Sequence, residues 1–398
     1  MLKTSEKAIV EKAFAIAKRD LRKCYEKQGI FAGRKHFDDY WARDGFFAAM
    51  GSLCLKDYEI VKKQLSIFSK FQTPNGELPV RIGTYFILPK FLGIKLGKKD
   101  LKPRYRQDKL FSHVVDSNSL FVILAHEFLI QTKDSKFIKQ LLPKLKKAMQ
   151  WLQTQKNNGL IHEGKYGNWA DSLKKTGNVL YSNVCYYRAN VCLSIMLSKL
   201  GQPWKEFSNE AKQVKDILNS KFWFEPSNNQ GFYIDWYSKT PNKYFSSDGN
   251  ILAGLWGLSS RNQNDKIQNY MDAHGLNHGK TIKTNHPKYK QHHVPGVLNL
   301  FNMHDYHNGL LWLWLGAFDI LFKHKNGFKE KAKEELVKLS KIICEHKEVY
   351  EVYEPNGQPV QRLFYRSEHP FAWSSGLFVY MCSNLSKDLK LNIQKEAN

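Results

Sequence analysis

The sequence predicts an all-α protein, a toroid of six helical hairpins or (α/α)6 barrel, with long loops and a small β-hairpin on one face. Three observations predict it. The apolar periodicity is helical along nearly the whole chain. Connections alternate between short turns and long stretches rich in Gly, Pro and aromatic residues. Finally, some helices are amphipathic and others are apolar almost all round, as an outer and an inner ring require.

Taken in order, helices are predicted over residues 5–27, 43–54, 56–71, 116–131, 134–156, 183–200, 203–221, 248–258, 262–274, 307–323, 328–346 and 370–385. Asp116, Asp248 and the Ser and Asn beside them are N-cap residue types at the head of apolar runs. In 137–155 and 328–346, lysines alternate with Leu, Ile and Ala at helical spacing, so one face is solvated. The runs 251–256 and 310–315 are apolar on every side, and such helices are buried all round. Short turns such as Lys56-Asp57, Thr132-Lys133, Gly201-Gln202 and Lys325-Asn326-Gly327 join the twelve helices into six pairs. The connections 72–115, 157–182, 222–247 and 347–369 are the long ones, and they place function on one face. Phe222-Trp223-Phe224 and 231–237 read as a hairpin around Pro226-Ser227-Asn228-Asn229. No linker composition divides the chain, so residues 1–398 are expected to form one domain.

The chain is 42% apolar, enough for a sizeable core and too much for a disordered chain. No apolar run reaches membrane-spanning length, and residues 1–7 contain no apolar signal segment. The six cysteines are scattered without a CxxC pair, as reduced core residues of a cytoplasmic protein would be. The net charge of +24 raises the question of nucleic acid. It is nearly all Lys on helical faces, which disfavours that partner. Two loops are more pointed: 94–109 has seven Lys or Arg against two Asp, and 274–296 has five His and four Lys. His286, His292 and His293 lack zinc-ligand spacing, so no metal is expected, and no cofactor.

Candidate chemistry begins at Trp41-Ala42-Arg43-Asp44, an adjacent Arg and Asp between aromatic rings at the head of an apolar segment. Arg offers a planar fork of donors and Asp two acceptor oxygens, which together can grip neighbouring hydroxyls. A structural ion pair at a helix start accounts for the stretch equally well. Yet the other apolar helices also open on polar groups: Asp116-Ser117-Asn118, Asp248-Gly249-Asn250, His307-Asn308-Gly309, and Glu368-His369 before the last. In a toroid these converge on the mouth. Two more acids, Asp171 after Trp169 and Glu351 after Tyr350, sit in long loops among aromatics. A carboxyl desolvated by rings has a raised pKa and suits a general acid, while a wetter one stays ionised as a base. Turn and cap roles also explain Asp171 and Glu354. Two carboxyls across a pocket are the minimum equipment for glycoside hydrolysis.

These segments resemble, in the same order, those of the (α/α)6-barrel glycoside hydrolases: glucoamylases, trehalases, the glucosidase domain of glycogen debranching enzymes and alkaline/neutral invertases. Trp41 to Asp44 is similar to the W-x-R-D segment that holds glucose hydroxyls in the −1 subsite. Asn168-Trp169-Ala170-Asp171 is similar to the loop supplying the general acid, and Glu351 to Gly357 to the segment carrying the general base. Tyr306-His307-Asn308-Gly309 with Trp312 and Trp314 resembles an inner helix of the debranching and invertase groups. Residues 365–373 match the last active-site loop. Ala170 separates Trp169 from Asp171, Leu313 replaces a usual Pro, and Asp116 rivals Asp171 as the acid.

The resemblance implies an inverting, exo-acting hydrolase of a small α-glucoside or α-glucan end, without cofactor. Asp171 would be the acid and Glu351 the base. Trp41, Arg43, Asp44, Asp116 and Asp248 would line the sugar site. His307, Asn308 and Glu368 would be further hydroxyl partners, and Trp169, Tyr187 and Trp373 stacking platforms. A sucrose-cleaving invertase, a sugar epimerase and a non-hydrolytic carbohydrate-binding toroid are the alternatives.

Overall fold

The computed structural model describes residues 2–83, 101–106, 112–277, 279–363 and 365–393. Twelve of the helices in these residues form two rings. The inner ring is α2 (Ala42–Cys54), α4 (Asp116–Thr132), α6 (Leu180–Lys199), α8 (Ser247–Leu255), α11 (Leu313–Lys325) and α13 (Ala372–Leu389). Each packs on the next, and α13 packs on α2 to close the circle. The outer ring is α1 (Thr4–Lys23), α3 (Tyr58–Lys70), α5 (Ser135–Thr154), α7 (Lys205–Lys221), α9 (Arg261–Ala273) and α12 (Lys329–His346). A single-turn helix, α10 (Gly296–Leu300), lies in the loop before α11.

The burial pattern explains the layers. α5 buries Ile138, Leu141, Leu145, Met149 and Leu152, a stripe at spacings of three and four. α4 buries every residue from Asp116 to Ala125, because neighbours cover it on all sides. The contact of α2 with α13 is close enough to demand glycine. A Cβ on Gly51 would lie 2.2 Å from the Gly376 carbonyl oxygen, and one on Gly376 would lie 2.5 Å from Ala48 Cα.

Five pairs are joined by short turns, at 55–57, 133–134, 200–204, 256–260 and 326–328. The sixth is not: α13 at the end of the chain packs on α1 at its start, which corrects the expectation of a short turn in every pair. Several boundaries also move. The predicted helix 307–323 begins only at Leu313, because Gly309 takes φ +130° and Leu311–Trp312 pairs with Val352–Tyr353. His307 and Asn308 therefore lie in a turn. The first helix stops at Lys23, where Tyr25–Glu26 pairs with Gly29–Ile30. α6 starts at Leu180, three residues earlier than predicted.

On the loop face, Trp223–Ser227 pairs with Gln230–Tyr237 as the expected hairpin. The hairpin grows into a five-stranded sheet by adding Pro241–Ser246, Asn178–Val179 and Asn285–His286. A second small sheet joins Tyr40–Trp41, Arg81–Gly83 and Lys102–Arg104, and so fixes the chain entering α2. Of the basic loop 94–109, residues 94–100 and 107–109 lie outside the described residues. All six cysteines are unpaired. Among the described residues no helix is long and apolar enough to cross a membrane.

Candidate active site

Each inner helix begins on the long-loop face, so the first turns of the ring share that face. Backbone N–H groups there have no intrahelical acceptor, and acidic side chains are favoured beside them. Arg43 and Asp44 lie in the first turn of α2, Asp116 opens α4, and Asp248 lies in the first turn of α8. Tyr181, Trp314 and Trp373 are each the second residue of α6, α11 and α13. All six inner helices thus contribute a first-turn side chain.

Arg43 is buried and forks onto Asp116, with Nε 2.7 Å from Oδ2 and Nη2 3.3 Å from Oδ1. Its other nitrogen, Nη1, lies 3.9 Å from Asp171 Oδ2. The Asp171 side chain is 28% exposed, so it is ringed by protein yet open to solvent. Burial pushes Asp171 up to about 7, with the Asp44 and Asp116 charges adding to the rise and Arg43 opposing it. Asp44 is pushed up to about 6 by burial, against the pull of Arg43. The geometry favours Asp171 over Asp116 as a proton donor, because both Asp116 oxygens are committed to Arg43.

The loop carrying Asp171 is fixed at several points. Trp169 Nε1 donates to Asp248 Oδ2, and the Trp169 ring meets His307, Trp312, Trp314 and Trp373 edge-on at centroid distances of 4.8–6.2 Å. Ser172 Oγ lies 2.7 Å from His307 Nδ1. Burial drives His307 well below its ordinary pKa, so the ring is neutral. Lys175 is buried and pairs with Asp235 at 2.7 Å, with its ammonium 4.9 Å from the centre of the Tyr289 ring. Asp248 is held up at about 6, chiefly by burial.

Glu351 meets this aromatic group through Tyr306. It is 2% exposed and accepts hydrogen bonds from two phenols, Tyr306 on Oε1 and Tyr365 on Oε2. Burial pushes it up to about 8, and the phenol bonds work against that rise because they favour the carboxylate. This reverses the expectation of a desolvated acid and a wetter base: Glu351 is the more buried of the two carboxyls, and phenol donors rather than solvent favour its ionised form. Tyr306 also packs on His307 and Trp312, at 4.6 and 5.0 Å, so a continuous set of rings links Glu351 to the Asp171 loop.

Arg43, Asp44, Asp116, Asp171, Trp169, Asp248 and His307 are brought together as the sequence suggested. Other candidates have different surroundings. Glu368 accepts three successive backbone amides, Arg34, Lys35 and His36, at 2.6–2.8 Å, so its carboxylate anchors a loop beside Glu351. Asn308 accepts from Tyr289 N and Asn285 Nδ2 and donates to Tyr289 O, which satisfies its amide internally. Trp41 is buried, with the Arg81 guanidinium 5.1 Å from the centre of its ring. Trp373 is 3% exposed and stacks on Trp314 at 4.5 Å. Tyr187 is two turns down α6 and donates to the Gly257 carbonyl, beyond the C-terminal end of α8. Tyr181, not Tyr187, faces Arg43, Asp116 and Asp248.

Sequence reasoning missed Tyr181, Tyr306 and Tyr365 as partners of the charged groups, and missed Glu163, Lys175 and Asp235 altogether. Starting α6 at Leu180 would have found Tyr181. Tyr306 and Tyr365 stand in segments the sequence had singled out, but nothing local tied them to Glu351, and no local signal marks Glu163, Lys175 or Asp235.

The chain's fold is shared with solved glycosidases. It aligns with the GH63 mannosylglycerate hydrolase of Thermus thermophilus at a TM-score of 0.71 and 14% identity, covering 92% of this chain and 99% of that one. It aligns with a Klebsiella oxytoca rhamnosidase at a TM-score of 0.69 and 13% identity, covering 97% of this chain and 65% of that one. A glycosidase variant in complex with glucose aligns at a TM-score of 0.67 and 12% identity, covering 97% and 99%. No curated protein matches the sequence. Residues 12–376 match the sequence profile described as amylo-alpha-1,6-glucosidase, and the chain belongs to that family of glycoside hydrolases.

Proposed function

We propose that the protein is an inverting, exo-acting glycoside hydrolase of a small α-glucoside or of the end of an α-glucan. The observation that carries this reading is the setting of its two carboxyl groups. Asp171 is partly open beside Arg43 and Asp44. Glu351 is buried under two phenol donors, one of which, Tyr306, packs on the aromatic group that holds the Asp171 loop.

Arg43 and Asp44 hold hydroxyls of the terminal sugar. No other described residue hydrogen-bonds the Asp44 side chain, which leaves its oxygens for a ligand. Asp171 gives its proton to the glycosidic oxygen as the bond from that oxygen to the anomeric carbon breaks. A water attacks the opposite face of the carbon, and Glu351 takes the proton that the water loses. The two carboxyls then exchange that proton through solvent and the cycle restarts. An inverting pair stands about 6.5–9.5 Å apart, which admits the water. With Asp171 near 7 and Glu351 near 8, the pair titrates through neutrality. The competent form, Asp171 protonated and Glu351 ionised, is the less populated of its two singly protonated states, because Glu351 holds its proton more tightly than Asp171.

Membership of the amylo-alpha-1,6-glucosidase family supports an α-glucosidic bond. Likeness to a mannosylglycerate hydrolase over 99% of that chain supports a small glycoside. The closed ring supports reading residues 1–398 as one catalytic domain, and the unpaired cysteines support a reducing, cytoplasmic setting.

The test is sugar release from sucrose, trehalose, maltose, isomaltose and glucosylglycerate by wild type, Asp171→Asn and Glu351→Gln, with the first-formed anomer read by NMR. Both variants should lose at least about 100-fold in kcat, and an α-glucoside should give β-glucose first. Full activity in both variants would sink the carboxylate assignment, and α-glucose released first would sink inversion.

A further inference from the structure

A buried carboxyl behind the Asp171 loop has no part in the mechanism above. Glu163 is 2% exposed and forms no ion pair among the described residues. A carboxyl in that position is costly unless its oxygens are used. Its backbone pairs with that of Gly177 in both directions, each N–H to O distance being 2.9 Å. That pairing closes the base of the loop 164–176, which carries Asp171.

From the base, the Glu163 side chain turns into the loop. Oε1 accepts from Asn168 Nδ2 at 2.5 Å, and Oε2 accepts from Ser182 Oγ in the first turn of α6. Asn168 passes the constraint on, because its Oδ1 accepts the backbone N–H of Ala170 at 2.8 Å. An amide that must donate to Glu163 and accept from Ala170 has one orientation. The Ala170 amide, one residue before Asp171, is thereby fixed.

We propose that Glu163 is a positioning residue for the general acid: through Asn168 and Ala170 it sets where the Asp171 carboxyl meets the leaving oxygen. The inference rests on the reading of Asp171 given above. Glu163 is 2% exposed, and both of its carboxyl oxygens are bonded within the protein. Its effect is confined to the step that needs Asp171, and a misplacement of about 1 Å there costs about 100-fold in rate. Burial pushes Glu163 up to about 8, so at neutral pH its carboxyl is largely protonated, and in that form the bond to Ser182 reverses, with the Glu163 hydroxyl on Oε2 donating to Ser182 Oγ. A glutamine is then a close substitute: it can donate to Ser182 Oγ while its carbonyl accepts from Asn168. An alanine leaves the Asn168 amide without its acceptor.

The experiment compares Glu163→Ala, Glu163→Gln, Asn168→Ala and Asp171→Asn on two α-glucosides. Maltose has a sugar leaving group that needs protonation, and 4-nitrophenyl α-D-glucoside has one that leaves as the anion. Glu163→Ala and Asn168→Ala should lose about 100-fold in kcat on maltose with KM within about 3-fold, and less than about 5-fold on the nitrophenyl glucoside. Glu163→Gln should stay within about 3-fold of wild type on both. Hydrogen exchange of the Ala170 amide should quicken in Glu163→Ala and Asn168→Ala. It should keep its wild-type rate in Glu163→Gln.

Equal losses on both substrates, or wild-type activity and Ala170 protection in Glu163→Ala, would overturn the proposal. If Glu163→Ala does not fold, Asn168→Ala carries the same test with Glu163 in place. The control separates the two readings. Asp171→Asn that keeps its activity on maltose removes the acid assignment itself, whereas one inactive on maltose beside an unaffected Asn168→Ala removes only the role of Glu163.

Discussion

Removing the Tyr365 hydroxyl should lower activity relative to wild type on the acid side of the pH profile, with the two profiles drawing together on the alkaline side. Tyr365→Phe keeps the ring and deletes one of the two phenols that donate to Glu351. Among the described residues Oε2 then keeps the Glu368 backbone N–H at 3.5 Å. A hydrogen bond to a charged group contributes about 1.5–3 kcal/mol. At about 1.36 kcal/mol per pKa unit, its loss raises Glu351 by roughly 1–2 units above its starting value near 8. The sign follows from the bond's preference for the carboxylate: without it the protonated form gains, and the base appears only at higher pH. Below neutrality the ionised fraction, and with it kcat/KM, should fall about 10–100-fold. Above the new pKa, Glu351 is ionised in both proteins and the two profiles converge. The assay is kcat/KM from pH 5 to 10 on the best substrate, with folding checked by circular dichroism. A loss uniform across that range, or one that grows on the alkaline side, would refute the assignment of Glu351 as a base tuned by its phenols.

Two further predictions concern the ring. Gly51→Ala places a methyl 2.2 Å from the Gly376 carbonyl oxygen, so α2 and α13 must separate. Stability to urea should fall towards the upper end of about 1–3 kcal/mol, and an unchanged midpoint would contradict the close approach. Lys323 on α11 is buried against Asp319, with Glu335 at 3.6 Å. Lys323→Met strands those carboxyls, and Asp319 keeps the Asn277 amide at 2.6 Å. A loss of about 3–5 kcal/mol is expected with kcat unchanged per folded molecule, and a melting temperature equal to wild type would count against the pairing.

Much of the architecture was legible because periodicity is a local property. The Leu and Ile stripe of 138–152 and the unbroken burial of 116–125 follow from which residues stand three and four apart. The carboxylates of Asp116 and Asp248 were legible for a similar reason: a helix start attracts acids whatever the fold. Where turn chemistry and strand pairing intervened, the boundary was lost. Leu311–Trp312 pairs with a strand forty residues later, so nothing local announced that the helix begins only at Leu313.

The sequence by itself determined the two kinds of helix, the loops that face one way, and the presence of acids, rings and an arginine among them. Only the tertiary structure decided which groups meet. Arg43 finds Asp116 seventy-three residues away, α13 returns to α1 without a connecting turn, and Glu351 receives phenols from two separate loops. Tertiary structure also assigned Glu368 to three backbone amides and Asn308 to Tyr289 and Asn285. It left Asp171 partly exposed beside the buried Arg43. The physical reason is that a polar side chain bonds whatever packing brings within about 3 Å. That packing is settled by the whole apolar core and not by the residues on either side.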